Sequence, residues 1–338
     1  MKKIPVIAVV GPTASGKTSL SIEIAKRFSG QVVSADSMQI YEKMNIATAK
    51  PTASEMQGIT HHLIGFQPID KKFSVAEYVN LASDCISNIN SQGDLPVLAG
   101  GTGLYVDSLL ENIQFSKEDE NNGIRKELTE LFDEKGAEYM LNMLNDIDPQ
   151  TAKKLHLSDK SRIIRALEIY KSTGKTMTEQ KELSKAEPTP YNALIIGINY
   201  RDRNILYDRI NKRVDIMVEN GLLDEAKEFY NTSQDTTACQ AIGYKELAPY
   251  FNGEKSLNEC LESLKIETRH YAKRQLTWFR KNENIFWVYP DDYEDINELY
   301  NCVFARIEKF LKEEQKWKNL NLMKKQLNIL FPLFWVFL

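Results

Sequence analysis

No apolar run in this sequence approaches the ~18 residues that a membrane-spanning helix requires, and the chain passes from Met1-Lys2-Lys3 straight into apolar Ile4, leaving no room for a signal peptide. A cytoplasmic protein with no membrane partner is therefore expected. Its four cysteines, Cys85, Cys239, Cys260 and Cys302, lie far apart without C-x-x-C spacing. That argues against a zinc site or a disulfide framework, suits a reducing compartment, and marks them as core thiols. Excess charge of one sign is also missing: 43 Lys and Arg stand against 47 Asp and Glu, a net −4. Overall charge thus gives no footprint of nucleic acid, and such a partner has to be recognised in local basic clusters.

What the chain does have is ordinary globular composition, 42% apolar and 27% charged over 338 residues, enough for one large core and a smaller one. Two domains are expected. Near the start stands Gly11-Pro12-Thr13-Ala14-Ser15-Gly16-Lys17-Thr18, the pattern G-x-x-x-x-G-K-[ST]. In that pattern backbone N–H groups and the lysine wrap a chain of phosphates, and the last hydroxyl, here Thr18, holds Mg²⁺. Context strengthens it. Ile4 to Val10 is the near-continuous apolar run of a strand buried on both faces, and Leu20, Ile24, Ala25 and Phe28 recur at helical spacing afterwards. Strand, glycine loop and helix N-terminus come in the order that aims N–H dipoles at an anion.

A second strand, Gln31 to Ala35, runs into Asp36-Ser37-Met38-Gln39-Ile40-Tyr41. A carboxylate just past the C-terminal end of a strand faces the crevice where open α/β sheets bind ligands. Asp36 is accordingly a metal ligand or a general base, with a turn-capping Asp as the plain alternative. Thr48 and Lys50 fall near the same crevice in sequence. His61 and His62 are adjacent on an extended segment, point to opposite faces, and cannot share one ion. Phe73 to Asn90 carries a helical stripe, and Leu95 to Ala99 is a strand that ends in Gly100-Gly101-Thr102-Gly103-Leu104-Tyr105. A nucleotide hydrolase would ordinarily end it in an Asp that supports Mg²⁺. Here the backbone is stripped to glycine around one hydroxyl, which lets something bulky approach Thr102, unless the glycines serve only a tight turn.

From about Gln114 to Lys185 the periodicity is wholly helical, with helices expected over Arg125 to Phe132, Ala137 to Asn145, Pro149 to Leu155 and Lys160 to Ser172. Tyr191 to Asn199 then returns as a strand, so the stretch 114–189 is a helical insertion in one discontinuous α/β domain formed by 1–113 and 190–312, with 313–338 as an atypical tail. Within the insertion, Arg162 and Arg165 share a helix face, either as a ligand-gripping pair or as a salt-bridged surface. Asp202 caps a helix that runs to Asn220. It presents Arg209 and Arg213 one turn apart, placed to clamp a diphosphate, or to pair with Asp208 and Asp215. Thr237 to Lys245 reads as a glycine-interrupted helix opening, Lys265 to Lys281 carries the densest positive patch, and Asn284 to Val288 is a closing strand.

Five segments in this order, Gly11 to Thr18, Ala35 to Tyr41, Gly100 to Tyr105, Gln240 to Lys245 and Lys273 to Arg280, resemble the tRNA dimethylallyltransferases over about residues 4–290. The resemblance implies a P-loop NTPase-like α/β fold, a parallel sheet flanked by helices, with an all-helical insertion domain that binds tRNA. It implies transfer of a dimethylallyl group from dimethylallyl diphosphate to N6 of adenosine-37 in the tRNA anticodon loop, with Mg²⁺ as cofactor and Thr18 as its ligand. Asp36, Thr102 and Lys17 would be catalytic, the phosphate loop with Arg209 and Arg213 would hold the diphosphate, and Ser37, Met38 and Gln39 would contact the base. Arg162, Arg165, Gln240, Lys273 and Arg280 would serve tRNA binding alongside Asp36 and Thr102. A monomer is expected. Lys160-Ser161-Arg162 departs from the family's common Pro-Gln-Arg, which leaves both arginines, and the tail Gln315 to Leu338 matches nothing in the family and is expected without order. The rival reaction is that of a P-loop small-molecule or nucleotide kinase; a non-catalytic tRNA-binding module is the third possibility.

Overall fold

The computed structural model describes residues 3–115, 123–184, 187–232, 238 and 241–330, with the backbone alone at 231–232 and 315–330. Gln240, Cys239 and the last eight residues lie outside the described residues. The chain divides into two compact units, 1–110 with 190–338, and 111–189.

The first unit is built in the order β1 (Ile4–Val10), α1 (Lys17–Phe28), β2 (Gly30–Ser34), α2 (Ala53–Met56), β3 (His61–His62), α3 (Val75–Ser91), β4 (Leu95–Gly100) and α4 (Gly103–Leu110). The second unit carries α5 (Ile124–Ile147), α6 (Pro149–Ala152), α7 (Lys160–Thr173) and α8 (Met177–Ser184). The first then resumes with β5 (Tyr191–Ile198), α9 (Arg203–Glu219), α10 (Leu222–Thr232), α11 (Ala248–Phe251), α12 (Leu257–Phe279), β6 (Phe286–Val288) and α13 (Ile296–Leu330). Its strands form one sheet in the order β3-β2-β4-β1-β5-β6, and every pairing is parallel.

The centre of that sheet explains the apolar run at the start of the chain. Val6, Ala8 and Val10 pack with α3, α4 and Phe279 on one face, while Ile7 and Val9 pack with α1 and with Leu299, Val303 and Ile307 of α13 on the other. Alternate side chains of β1 therefore leave water on both sides, which stabilises the strand by roughly 1.5–3 kcal/mol for each large residue. Ser74 with Glu77, and Ser256 with Glu259, close capping boxes that start α3 and α12, and the Asp202 side chain accepts from Asn204 N–H to start α9.

Several elements differ from the sequence expectation. The two helices expected from Arg125 to Asn145 run as one span broken at Gly136, whose φ of 84° no helix accommodates. The positive patch from Lys265 lies in the later part of α12, which starts at Leu257 behind the Ser256 capping box. Within Thr237 to Lys245, residues 241–245 form a bend and turns and not a helix: Gly243 has φ 117°, and its N–H is drawn to the Glu246 carboxylate at 2.8 Å. Residues 315–330, expected without order, continue α13; they are rich in Lys and Leu and hold neither Gly nor Pro. Of the cysteines, Cys260 is buried while Cys85 and Cys302 are half-buried.

At the sheet's C-terminal edge the backbone approaches itself closely at Gly100, where an added Cβ would stand 2.1 Å from the Ala35 carbonyl oxygen. Gly100→Ala is expected to destabilise the protein by about 1–3 kcal/mol or more, seen as a lower midpoint in urea unfolding followed by circular dichroism.

Candidate active site

At the C-terminal edge of the sheet, the phosphate loop after β1, the turn after β2 and the end of β4 at Ala99 and Gly100 open on one cleft of about 300 Å³, with Thr102 outside its lining. Thr13, Lys17, Thr18, Asp36, Ser37, Met38 and Gln39 line it, and so does Arg213 of α9. Its far wall is apolar, with Ile210, Val214, Met217, Leu222, Ile242 and Leu264. The sheet edge thus supplies the charged groups, and the helices that follow β5 supply the hydrocarbon.

The loop takes its shape from backbone conformations that few residues adopt: φ is 146° at Gly11, 61° at Ala14 and 102° at Gly16. Lys17 folds back so that its Nζ donates to the Pro12 carbonyl at 2.7 Å. Loss of hydration, reinforced by the Arg213 guanidinium and opposed by the Asp36 carboxylate, brings its pKa down to about 7. Arg213 is likewise held below the usual guanidinium range by burial, with Asp36 opposing. Two cations lie close enough to repel one another, which is the arrangement an anion relieves. Arg209 takes another part: its Nε donates to the Ala14 carbonyl at 2.9 Å, bracing the loop from outside the cleft lining. Asp215, considered as a partner for these arginines, instead pairs with Lys265 at 2.9 Å.

Asp36 caps its own turn and lines the cleft. Its Oδ1 accepts from the N–H groups of Met38 at 2.9 Å and Gln39 at 3.3 Å, capping its own turn. Oδ2 makes no hydrogen bond among the described residues, on a side chain that lines the cleft. The Thr102 hydroxyl accepts from Ser37 N–H at 3.0 Å and donates to Ser37 Oγ at 3.3 Å, while Thr102 N–H donates to the Ala35 carbonyl at 3.1 Å. The turns after β2 and β4 are therefore one hydrogen-bonded piece. Behind them Tyr78 donates to the Ser34 carbonyl at 3.0 Å and stacks on Tyr105 at 4.0 Å, and burial pushes both phenols up.

The glycines around Thr102 do not leave room for a bulky ligand. A Cβ at Gly101 would meet the Gln275 amide at 2.1 Å, and one at Gly103 the Trp278 indole at 2.2 Å. The space is filled by α12 of the same chain, so that expectation is corrected: the glycines admit a helix. Gln39 turns its Nε2 to the carbonyls of Thr48 and Ala49, both at 3.2 Å, and Thr48 lines the cleft. Lys50 is tied instead to the Tyr41 carbonyl at 2.7 Å. His61 lines the cleft and His62 bonds Gln31 at 2.8 Å, on the opposite faces that adjacent strand residues take.

Sequence reasoning missed Tyr271, Arg274 and Gln275, which line the cleft together with Leu264 and Thr268. These positions recur at helical spacing on α12, and that spacing was the available signal. Lys273 and Arg280 stand exposed on the same helix, outside the cleft lining. In the second unit, Arg162 pairs with Asp159 at 3.3 Å and Arg165 with Glu168 at 2.9 Å.

Glu225 sets the rim formed by residues 45–47. Its carboxylate accepts from the N–H groups of Asn45, Ile46 and Ala47, each at 2.9 Å, and from the Tyr244 hydroxyl at 2.8 Å. Glu225→Ala leaves those donors without their acceptor. A loss of about 1–3 kcal/mol in unfolding free energy is expected, with faster amide hydrogen exchange at 45–47.

The comparisons agree on one family. A family model described as IPP transferase matches residues 39–282. The tRNA dimethylallyltransferase of Acetivibrio thermocellus is 49% identical over 296 residues, covering 87% of this chain and 94% of that protein. The crystal structure of the tRNA isopentenylpyrophosphate transferase from Bacillus halodurans matches with a TM-score of 0.71 at 42% identity, over 94% of this chain and all (100%) of that one. A eukaryotic dimethylallyltransferase, captured acting on tRNA, matches with a TM-score of 0.78 at 28% identity, over 92% of this chain and 80% of that one. With a parallel sheet whose phosphate loop and Asp36 turn share one cleft with the end of β4, and a relative nearly half identical along most of both chains, this chain belongs to the tRNA dimethylallyltransferase family.

Proposed function

We propose that the protein transfers a dimethylallyl group from dimethylallyl diphosphate to N6 of adenosine-37 in tRNA, releasing diphosphate. The observation that carries this reading is the composition of this cleft: two mutually repelling cations, Lys17 and Arg213, share it with the Asp36 carboxylate and an apolar wall. The cations suit a diphosphate, the wall suits a short hydrocarbon, and the carboxylate suits a proton leaving an amine.

In this reaction the N6 lone pair attacks the allylic C1, a C–N bond forms, and the C1–O bond breaks with its electrons departing on the diphosphate. Lys17, Arg213 and the loop N–H groups lower the cost of that growing charge. Asp36 takes the N6 proton on Oδ2, the oxygen that its own turn leaves unbonded. Thr102, pinned to Ser37, orients the reacting groups. Adenine stacked in an anticodon loop cannot enter such a cleft, so the base is flipped into it, beside Met38 and Gln39.

The Thr18 hydroxyl, exposed in the first turn of α1 and facing the cleft, is a hard oxygen donor that fits Mg²⁺ and would hold it together with the substrate phosphates. Among the described residues no cluster of three or more His, Cys, Asp or Glu could hold a metal. Magnesium bound through one or two side chains and substrate phosphates needs none. When bound, it neutralises charge on the departing diphosphate. We assign Arg162 and Arg165 of the second unit to tRNA phosphates, with Lys273 and Arg280 as further phosphate contacts. Asp159 and Glu168 hold the first two in the absence of RNA. Among the described residues no helix is long and apolar enough to cross a membrane.

Mass spectrometry of nucleosides from tRNA incubated with the protein, Mg²⁺ and dimethylallyl diphosphate is expected to reveal N6-dimethylallyladenosine. Transfer of the ATP γ-phosphate to a small acceptor, with tRNA unmodified, would instead identify a kinase. Asp36→Asn is expected to lower turnover by about 10²–10⁴-fold with tRNA affinity little changed; a tRNA-binding module would lose nothing.

The depressed Lys17 pKa gives a sign for pH dependence. Below about 7 the ammonium is charged in the free protein, and above it diphosphate binding must take up a proton. Relative to Lys17→Met, in which this group is absent, affinity for inorganic diphosphate is expected to fall as pH rises through 7, by up to about tenfold per pH unit. Calorimetry in buffers of different ionisation enthalpy measures the proton uptake directly.

A further inference from the structure

The face of α12 turned to the sheet edge carries Tyr271, Gln275 and Trp278, at i, i+4 and i+7. All three meet the glycine turn after β4. Tyr271 brings its hydroxyl beside the Thr102 and Gln275 side chains. Trp278 covers Gly103 and donates from Nε1 to Asp107 at 2.7 Å. Gln275, only 6% exposed, does something different: its Oε1 accepts from Thr13 N–H at 2.8 Å, and its Nε2 donates to the Gly101 carbonyl at 3.0 Å.

Those two contacts join segments that the sheet ladder does not hold together. β1 and β4 pair as far as Val10 with Gly100, and the phosphate loop and the Thr102 turn leave the sheet just beyond that pair. One amide spans the gap. Its orientation is fixed, because exchanging oxygen and nitrogen would set an acceptor against the Gly101 carbonyl and a donor against Thr13 N–H. Gly101 has no side chain because a Cβ there would stand 2.1 Å from the Gln275 nitrogen.

We propose that Gln275 is a positioning residue that fixes the distance between the diphosphate cradle and the Thr102 turn. It touches neither substrate in this role. It holds the loop that carries the leaving group in register with the hydrogen-bonded pair of turns that carry Thr102 and Asp36. The inference rests on the transfer reading above, for which a loss of register matters because misplacement of about 1 Å can cost about 10²-fold in rate.

The test is single-turnover transfer to tRNA in four proteins: wild type, Gln275→Ala, Thr102→Ala and the double variant. Gln275→Ala is expected to slow the chemical step by about 10–10²-fold, with KM for tRNA near that of wild type and unfolding still cooperative. In the Thr102→Ala background the same substitution is expected to cost much less, since the group being positioned is gone. Equal losses in both backgrounds, or an unchanged step in Gln275→Ala, would overturn the proposal. If Gln275→Ala does not fold, Gln275→Glu replaces it, keeping an acceptor for Thr13 N–H and losing the donor to Gly101, and the same two outcomes decide. Failure of wild type to modify tRNA at all would count against the transfer reading and not against Gln275 alone.

Discussion

An ammonium held away from water beside a guanidinium is the constraint that orders this protein. Burial pushes both Lys17 and Arg213 toward neutrality, the Arg213 guanidinium adds to the effect on Lys17 and Arg209 to that on Arg213, and Asp36 acts in the opposite sense on both. Such a pair is unfavourable in an empty cleft and favourable around an anion, so binding free energy is stored as electrostatic tension in the folded chain. The fold can tolerate it because the loop sits on the best-buried strand. Val6 to Val10 are all fully enclosed, with large apolar layers on both faces.

The site is also stiff where its chemistry would need it to be. Asp36 is braced by its own turn, Thr102 by Ser37 and Ala35, and the phosphate loop by Arg209 on one side and Gln275 on another. Each brace is a hydrogen bond of modest net value, about 0.5–1.5 kcal/mol. Their effect lies in geometry rather than in stability, because each fixes one segment relative to a neighbour remote in sequence. The rim at 45–47 follows the same rule, with one carboxylate collecting three successive N–H groups.

The second unit is a small helical core of Leu128, Met140, Leu144, Ile163, Ile164 and Leu167. Asp148 is its polar anchor. It accepts from the Thr151 and Thr178 side chains, both at 2.7 Å, and from their N–H groups at 3.0 Å, and these bonds hold its carboxyl below the usual range despite burial. Arg162, on the surface of this unit, has an ion pair of the exposed kind that contributes about 0–1 kcal/mol. Exchanging that partner for a phosphate therefore costs little.

What this sequence settled by itself was local. The apolar run at Ile4 to Val10, the glycine loop, Asp36 at a strand end and Asp202 at a helix start are short segments whose backbone preferences act over a few residues. β1, β2, β4 and β5 accordingly fall where period and turn chemistry put them. Tertiary structure decided everything that depends on how a helix is rotated when it docks. Arg209 and Arg213 are one turn apart and equivalent in sequence, yet one braces the loop and the other enters the cleft. Gln275 is unremarkable between a basic face and an apolar one until α12 lies against a turn more than 170 residues earlier, at a separation of 174. Its neighbour across the gap, Thr13, is 262 residues away. No local preference encodes such contacts, because they come into being only when the sheet has brought the two loops side by side.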